Sequence, residues 1–405
     1  MTGRERPHAV GLWVVASAFT ALMSFATAPT PLWGLFARRD GFGATTVTVA
    51  FAVMIIGAAA GLLLFGHLSD RYGRRRIIIP ALLVSAASAA TILIFVSLPG
   101  LLAGRVLTGL GVGLTAATAT TYLHDLYHRA HPGRVGSPTP GLVASGASLT
   151  GLALGPLLAG SLAQWAPSAL VTPFAVYLAV LGLFALLVLR YGPETVRREP
   201  GAARPPRFAL RPGGRSAFVS AGTVAFSAFA VMGFFASFGA VMMRDVLGVS
   251  SFFVTGLVPF AMFAASALSQ TVLARRLSAR GKLLAGVVLF PVGLALTAAA
   301  LFHPALALYT VAAAMAGSGA GLLFGTAMGM AMGAAAPASR AGVTAVFFTL
   351  AYGGMGVPPV LFSLVSQQAG LRPSMIGFAV VLSLGTLTAV ALSRPSADRD
   401  SALAT

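Results

Sequence analysis

Long apolar runs separated by short polar turns set the rhythm of the chain. At about 20 residues per bilayer crossing, the runs predict twelve helices. Six lie near 10–37, 44–66, 77–97, 100–123, 139–163 and 168–190, and six near 215–242, 250–274, 282–302, 305–334, 340–365 and 371–394. The first run, behind the short basic stretch 1–7, is too long for a cleaved leader and reads as a retained span. The first run closes on Ala28-Pro29-Thr30-Pro31 and the eleventh holds Tyr352-Gly353-Gly354-Met355-Gly356-Val357-Pro358-Pro359. Prolines remove backbone donors there, so both helices should bend, and the eleventh is expected to be a hinge rather than a straight rod.

The two sets of six repeat each other. Arg39-Asp40-Gly41 returns about 205 residues later as Arg244-Asp245, and Gly109-Leu110-Gly111-Val112-Gly113-Leu114 returns as Gly317-Ser318-Gly319-Ala320-Gly321-Leu322. Arg134-Val135-Gly136 returns as Arg340-Ala341-Gly342, and Leu68-Ser69 as Leu277-Ser278. The expected organisation is an amino-terminal six-helix bundle over 1–190, a linker over 191–214, a carboxy-terminal six-helix bundle over 215–394, and a tail over 395–405. The linker is rich in Pro, Gly and Arg, cannot bury a core, and is expected to be mobile at the cytoplasmic surface.

Composition fixes the solvent. Hydrophobic residues make up 57% of the 405 and charged residues 9%, more apolar surface than one soluble core can hide. A formal charge of +18 would suggest nucleic acid in a soluble protein. Here all but five of the 27 Lys and Arg fall at one membrane side if both termini are cytoplasmic, the exceptions being Arg38, Arg39, Arg244, Arg372 and the intramembrane Arg105. That bias is a topology signal. The linker arginines also lack interleaved aromatics to stack bases, Phe208 excepted, so no nucleic-acid partner is expected. With no cysteine, disulfides, iron–sulfur clusters and thiolate zinc sites are excluded. His124, His128 and His131 read as a solvated helix end rather than a metal site, and no catalytic constellation lies at membrane depth. Neither an enzyme nor a bound cofactor or metal is expected. The near absence of lysine, with Lys282 alone, suggests a GC-rich bacterial source.

The charged residues that remain are few enough to name. Arg105 is the one formal charge well inside a span and should face protein, water or solute rather than lipid. It either assists proton movement or solute binding, or ties down carbonyls freed by the prolines of the first helix; both readings stand. Asp70 and Asp125 are the carboxylates at inner helix ends, Asp40 and Asp245 those in outer turns, and no acid lies deep in the first helix. The seventh helix is crowded with Phe and Met, of which Met232 and Phe235, with Trp33 and Tyr352, are candidate cavity residues for an apolar solute.

Gly66-His67-Leu68-Ser69-Asp70-Arg71-Tyr72-Gly73-Arg74-Arg75-Arg76 carries the pattern G-x-L-x-D-R-x-G-R-R, which resembles the signature loop between helices 2 and 3 of the major facilitator superfamily of transporters. The resemblance implies an all-α membrane fold of two pseudo-symmetric six-helix bundles that works as a monomer. It also implies a conformational latch in which Asp70 faces Arg340 and the start of helix 11 while Arg74 faces Asp125, with Gly66, Arg71 and Gly73 shaping the loop. Arg105 with Gly109 resembles the helix 4 motif of the superfamily. Gly151-x-x-x-Gly155-Pro156-x-x-x-Gly160 is similar to the helix 5 motif of its drug:proton antiporter branch, although Ala159 replaces a usual glycine. The expected function is therefore proton-coupled export of a small hydrophobic compound across a bacterial inner membrane, a multidrug-efflux type of activity, with Asp40 and Asp245 as further candidates on a proton path. Uptake of a small organic solute is the alternative reading.

Overall fold

A computed structural model of the chain describes residues 6–65, 68–134, 137, 139–196 and 208–392, leaving out the side chains of Asp70 and Ala117. It is built from helices, and among the described residues the only strand-like pairing is a single antiparallel bridge between Leu210 and Ala335. Among the described residues, twelve helices are long and apolar enough to cross a membrane: α1 Arg6–Asp40, α2 Ala44–Phe65, α3 Arg75–Ile94, α4 Leu98–Ala130, α5 Thr139–Trp165, α6 Thr172–Tyr191, α7 Gly214–Ala236, α8 Phe252–Arg276, α9 Ala279–Ala299, α10 Leu306–Ala334, α11 Pro337–Ala369 and α12 Leu371–Leu392.

The packing is a duplicated plan. In the first half α1 lies against α4, α5 and α6, α2 runs along α4, and α3 fits between α4 and α6; in the second, α7 lies against α10, α11 and α12, α8 runs along α10, and α9 fits between α10 and α12. Even irregularities repeat. A π-helical turn at Gly61–Phe65 ends α2, and another at Ser269–Leu273 sits at the matching place in α8. Two faces join the halves, α5 on α8 and α2 on α11, which the repeat relates to each other.

Several elements differ from the pattern-based expectation. α4 continues past residue 123 to Ala130, because Leu123, Leu126, Tyr127 and Ala130 stay buried while the polar residues between them point away. α7 breaks at Ser237, whose backbone leaves the helix (φ −118°, ψ −76°), and a separate short helix, Phe238–Asp245, follows. α11, where the prolines predict a bend, is continuous helix over Arg340–Ala369 with Pro358 and Pro359 inside. Pro359 can make no bond back to Met355 O, and that carbonyl instead abuts Gly233 of α7, where the absence of a side chain admits it.

The described ends of the linker are anchored to the helices. Tyr122 Oη donates to Pro193 O (2.7 Å) at its start. Towards its end Arg211 N donates to Ala334 O (2.8 Å) and Ala336 N to Ala209 O (3.0 Å). Short as they are, these stretches offer backbone groups to helix ends that lack partners. Residues 197–207, the 395–405 tail and Gly66 lie outside the described residues.

The halves are pinned together at the end of the bundle opposite the termini, called here the distal end. Trp33 Nε1 donates to Ala236 O (3.1 Å), Thr45 and Ser363 share a hydroxyl hydrogen bond (2.9 Å), and Gln164 Oε1 accepts from Ser251 Oγ (3.1 Å) and Phe252 N (2.9 Å). The cysteine-free sequence makes this join directly testable. With Thr45→Cys and Ser363→Cys in one chain, a mild oxidant should form a disulfide, read as a protein cut in its linker that still migrates as one band until reduced. Two separate bands before reduction would contradict the join.

Candidate functional site

Charge gathers in two places. The first is the terminal end of the amino-terminal half. The short helix Leu68–Tyr72 leads into Gly73, whose φ of +111° is one that side-chain-bearing residues rarely adopt. A side chain there would also run into the Glu194 carboxylate. The following residue, Arg74, donates from its backbone N to Glu194 Oε1 (2.9 Å) and from Nη1 to Ser69 Oγ (2.8 Å). Its Nε lies 3.6 Å from Asp125 Oδ2 at the end of α4, and that oxygen also accepts from Thr195 Oγ1 (3.0 Å). Glu194 Oε1 gathers two further amides, Thr195 N (2.9 Å) and Val196 N (3.1 Å). Arg129 adds a bond to Thr195 O and Arg75 one to Leu189 O. The segment after α6 is thus clamped between the Gly73–Arg74 turn and α4.

Arg71 points its guanidinium over its own neighbour Tyr72, 5.3 Å from the ring centroid. Arg340 begins α11 exposed and shows no ion pair with a described residue. Asp70 has its backbone in the short helix, but its side chain lies outside the described set.

The second place is the interior of the amino-terminal half. Arg105 is fully buried. Its Nη1 donates to Ala26 O (2.9 Å), in the last turn before α1 breaks towards Pro29 and Pro31, and its Nη2 meets Met54 Sδ (2.9 Å). The guanidinium lies over the rings of Phe51 (5.5 Å) and Trp33 (5.7 Å), while Nε has no hydrogen bond. A buried cation without a carboxylate is costly, and one carbonyl, two π faces and a thioether offset part of that cost. Gly109, one turn further on, lets the α4 backbone rest against Met54 O of α2.

The helix 5 motif sits where three helices meet. Gly151 and Gly155 fit against α1, whereas Pro156 O and Gly160 meet Gly256 and Phe252 of α8. Pro156 cannot bond back to Leu152 O, and Thr27 Oγ1 of α1 donates to that carbonyl instead (2.9 Å).

Of the outer acids, Asp245 is bound by its neighbour Arg244 (2.7 Å from Nε), and Asp40 lies 4.0 Å from Arg39. A cavity of about 130 Å³ at the distal seam brings Asp245 and Arg244 together with Trp33, Gly34 and Val47. Phe235 packs against Tyr309 of α10 (5.4 Å between centroids) within the carboxy-terminal core, and Met232 is buried on another face of α7.

The sequence model of the Major Facilitator Superfamily matches residues 9–359. The chain belongs to that superfamily. Among curated relatives, the facilitated glucose transporter member 8 of Bos taurus is 34% identical over 150 residues, 36% of this chain and 28% of that protein. The inner membrane transport protein YnfM of Escherichia coli K12 is 28% identical over 179 residues, 43% of this chain and 40% of its own length. The chain therefore matches well under two thirds of these relatives. Among solved structures, a bacterial homologue of the human lysosomal transporter Spinster, in an inward-facing unoccupied conformation, superimposes with a TM-score of 0.73 at 16% identity, over 96% of this chain and 97% of that one. The human organic anion transporter MFSD10 gives 0.65 at 20% identity, over 95% and 99%. These likenesses establish the fold: a multi-pass membrane protein of the superfamily, with twelve candidate spans among the described residues.

Within this superfamily member, sequence reasoning missed Glu194. Its signal was present in Gly192-Pro193-Glu194-Thr195, one of only two acids, with Glu199, in an otherwise basic linker. If Glu194 holds the turn, Glu194→Ala should speed hydrogen exchange at the amides of Arg74, Thr195 and Val196 by roughly ten-fold or more, the weight of hydrogen bonds to a charged acceptor. Unchanged exchange in that segment, with the rest of the protein intact, would remove the clamp.

Proposed function

We propose that this protein takes up a small organic solute by alternating access, its two six-helix halves rocking about a path along their common seam. The observation that carries the reading is the seam itself. Two duplicated halves meet along α5–α8 and α2–α11, and at the distal end a handful of side-chain hydrogen bonds pin them. Such bonds are few enough for solute binding to break or re-form them with a bias of a few kcal/mol. Uptake is favoured over export by the relatives, among them a facilitated glucose transporter and, over 72 residues at 35% identity, an arabinose-proton symporter of Bacillus subtilis.

The solute itself carries fewer hydroxyls than a sugar. The chain has no asparagine, and its glutamines are Gln164, Gln270, Gln367 and Gln368, the first of these committed to Ser251 and Phe252. Reading a ring of hydroxyls needs paired donors and acceptors that these spans lack. Any coupling to protons runs through the acids at helix ends, Asp40, Asp70, Asp125 and Asp245, since none stands at membrane depth. The Gly73–Arg74–Asp125 turn acts as the latch at the terminal end, which the positive-inside bias puts in the cytoplasm of a bacterial cell. Arg105 serves chiefly as the clamp on the break in α1. The protein works as a monomer.

A second reading, proton-driven export of a hydrophobic compound, is favoured by one feature, the Gly151-x-x-x-Gly155-Pro156-x-x-x-Gly160 motif. Accumulation of labelled solutes in cells separates the two. Uptake predicts higher accumulation in expressing cells, lost when Thr45→Cys and Ser363→Cys are oxidised together and recovered on reduction. Lower accumulation that a protonophore abolishes would establish export instead.

A further inference from the structure

Five aromatic rings from three helices of the carboxy-terminal half close on one another beside the seam. Phe229 of α7 lies 4.9 Å from Phe324 of α10 and 5.8 Å from Tyr352 of α11. Phe324 lies 5.5 Å from Phe347 and 5.9 Å from Phe348, and Phe348 is 6.1 Å from Tyr352.

The helical register directs this cluster at the other half. Phe229, Met232 and Ala236 share one face of α7, at i, i+3 and i+7, and Ala236 O is the acceptor for Trp33 of the amino-terminal half. The opposite face of α7 carries Phe234, which packs on Phe378 of α12 (5.2 Å). On α11, Phe348, Tyr352 and Gly356 form a ladder at i, i+4 and i+8, and a side chain at Gly356 would strike Ile55 of α2. The rings therefore begin where the contact between the halves leaves off.

Two features separate this cluster from ordinary core. Phe324 and Phe348 are only half-buried, so their faces are not fully covered by protein. Tyr352 is 8% exposed, yet its hydroxyl has no hydrogen-bond partner among the described residues and is not among the polar atoms sealed from solvent. The other buried tyrosines are partnered: Tyr122 with Pro193 O, Tyr127 with Ser137, Tyr177 with Ser24, and Tyr309 with Met242 Sδ. A buried phenol normally finds a partner, and here one is missing in a place open to the seam.

The repeat leaves room for that partner. Offsets of 208 and 206 residues, taken from Gly317 against Gly109 and Arg340 against Arg134, carry Phe324 and Tyr352 onto Ala116 and Gly146. The aromatic wall thus has small residues at the matching positions of the other half, and a Cβ at Gly146 would meet nothing within 4 Å.

We propose that Phe229, Phe324, Phe348 and Tyr352 form the solute-binding wall, and that the solute is a neutral planar aromatic compound with a ketone, lactone or ether oxygen that accepts the Tyr352 hydroxyl proton. The assignment rests on the transport reading above and names the solute class for it. The rings supply stacking surface, and Tyr352 supplies the single directional contact that fixes the ligand's orientation. The box holds no charge, so neither a carboxylate nor an ammonium group is called for.

The test uses purified full-length protein in detergent and equilibrium dialysis with two labelled probes of one shape, 2-acetonaphthone and 2-ethylnaphthalene. Partition into detergent is the same for every variant and cancels. Wild type should bind the ketone about five-fold more tightly than the hydrocarbon, the worth of one neutral hydrogen bond. Tyr352→Phe should bind the two alike, Phe348→Leu should weaken both several-fold, and Phe378→Leu, on the face turned away, should change neither. The box is overturned if neither probe binds, if wild type shows no preference, if the preference survives Tyr352→Phe, or if Phe378→Leu acts like Phe348→Leu. A preference that depends on Tyr352 in a protein that moves no solute in cells would leave the box standing and remove the transport reading.

Discussion

In a hydrocarbon medium every backbone polar group must find its partner within the protein, and this chain repeatedly places proline inside or beside its helices, each time removing a backbone donor. At several of these places a neighbouring helix covers the carbonyl concerned. Where α1 fails ahead of Pro29, Arg105 reaches from α4 to Ala26 O. Where Pro156 interrupts α5, Thr27 of α1 donates to Leu152 O. Where Pro359 leaves Met355 O without a helical donor, that carbonyl lies against Gly233 of α7. Each of these contacts ties one helix to its neighbour, so packing offsets the donor that each proline removes.

The two halves share a skeleton and differ in chemistry. The amino-terminal half concentrates charge, with Arg105 in its interior and Arg74, Asp125 and Glu194 at its terminal end. At the seam the carboxy-terminal half offers aromatic rings and a lone phenol. Duplication supplied two equivalent frames, and divergence filled them with different side chains.

Much of this was legible in the chain. The twelve spans, the duplication and the superfamily follow from apolar run length, from motifs recurring at one offset, and from the loop Gly66–Arg76, because bilayer thickness and backbone satisfaction leave few alternatives for such a pattern. The pairing of Arg74 with Asp125 was expected from the resemblance and is present at 3.6 Å. Other features were hidden for definite reasons. The continuation of α4 to Ala130 depends on tertiary burial of residues whose neighbours are polar. The break of α7 at Ser237 is made by local geometry that no residue type there demands. The anchoring of Glu194 needs the Gly73 turn, brought close by folding from 121 residues away in sequence.

By itself, then, the sequence determined the solvent, the number of crossings and the family, since those depend on how many apolar residues lie in a row and on short local patterns. Only the tertiary structure decided that Phe235 packs on Tyr309 while Phe229 packs on Phe324 and Tyr352, and that Tyr352 is the buried phenol left without a partner among the described residues. Each of those outcomes turns on the rotation of a helix about its own axis relative to two neighbours. Helix rotation in a membrane is set by packing between small residues and by repaired carbonyls rather than by any contrast of polar and apolar faces, and the nearly uniform hydrophobicity of these spans carries no record of it.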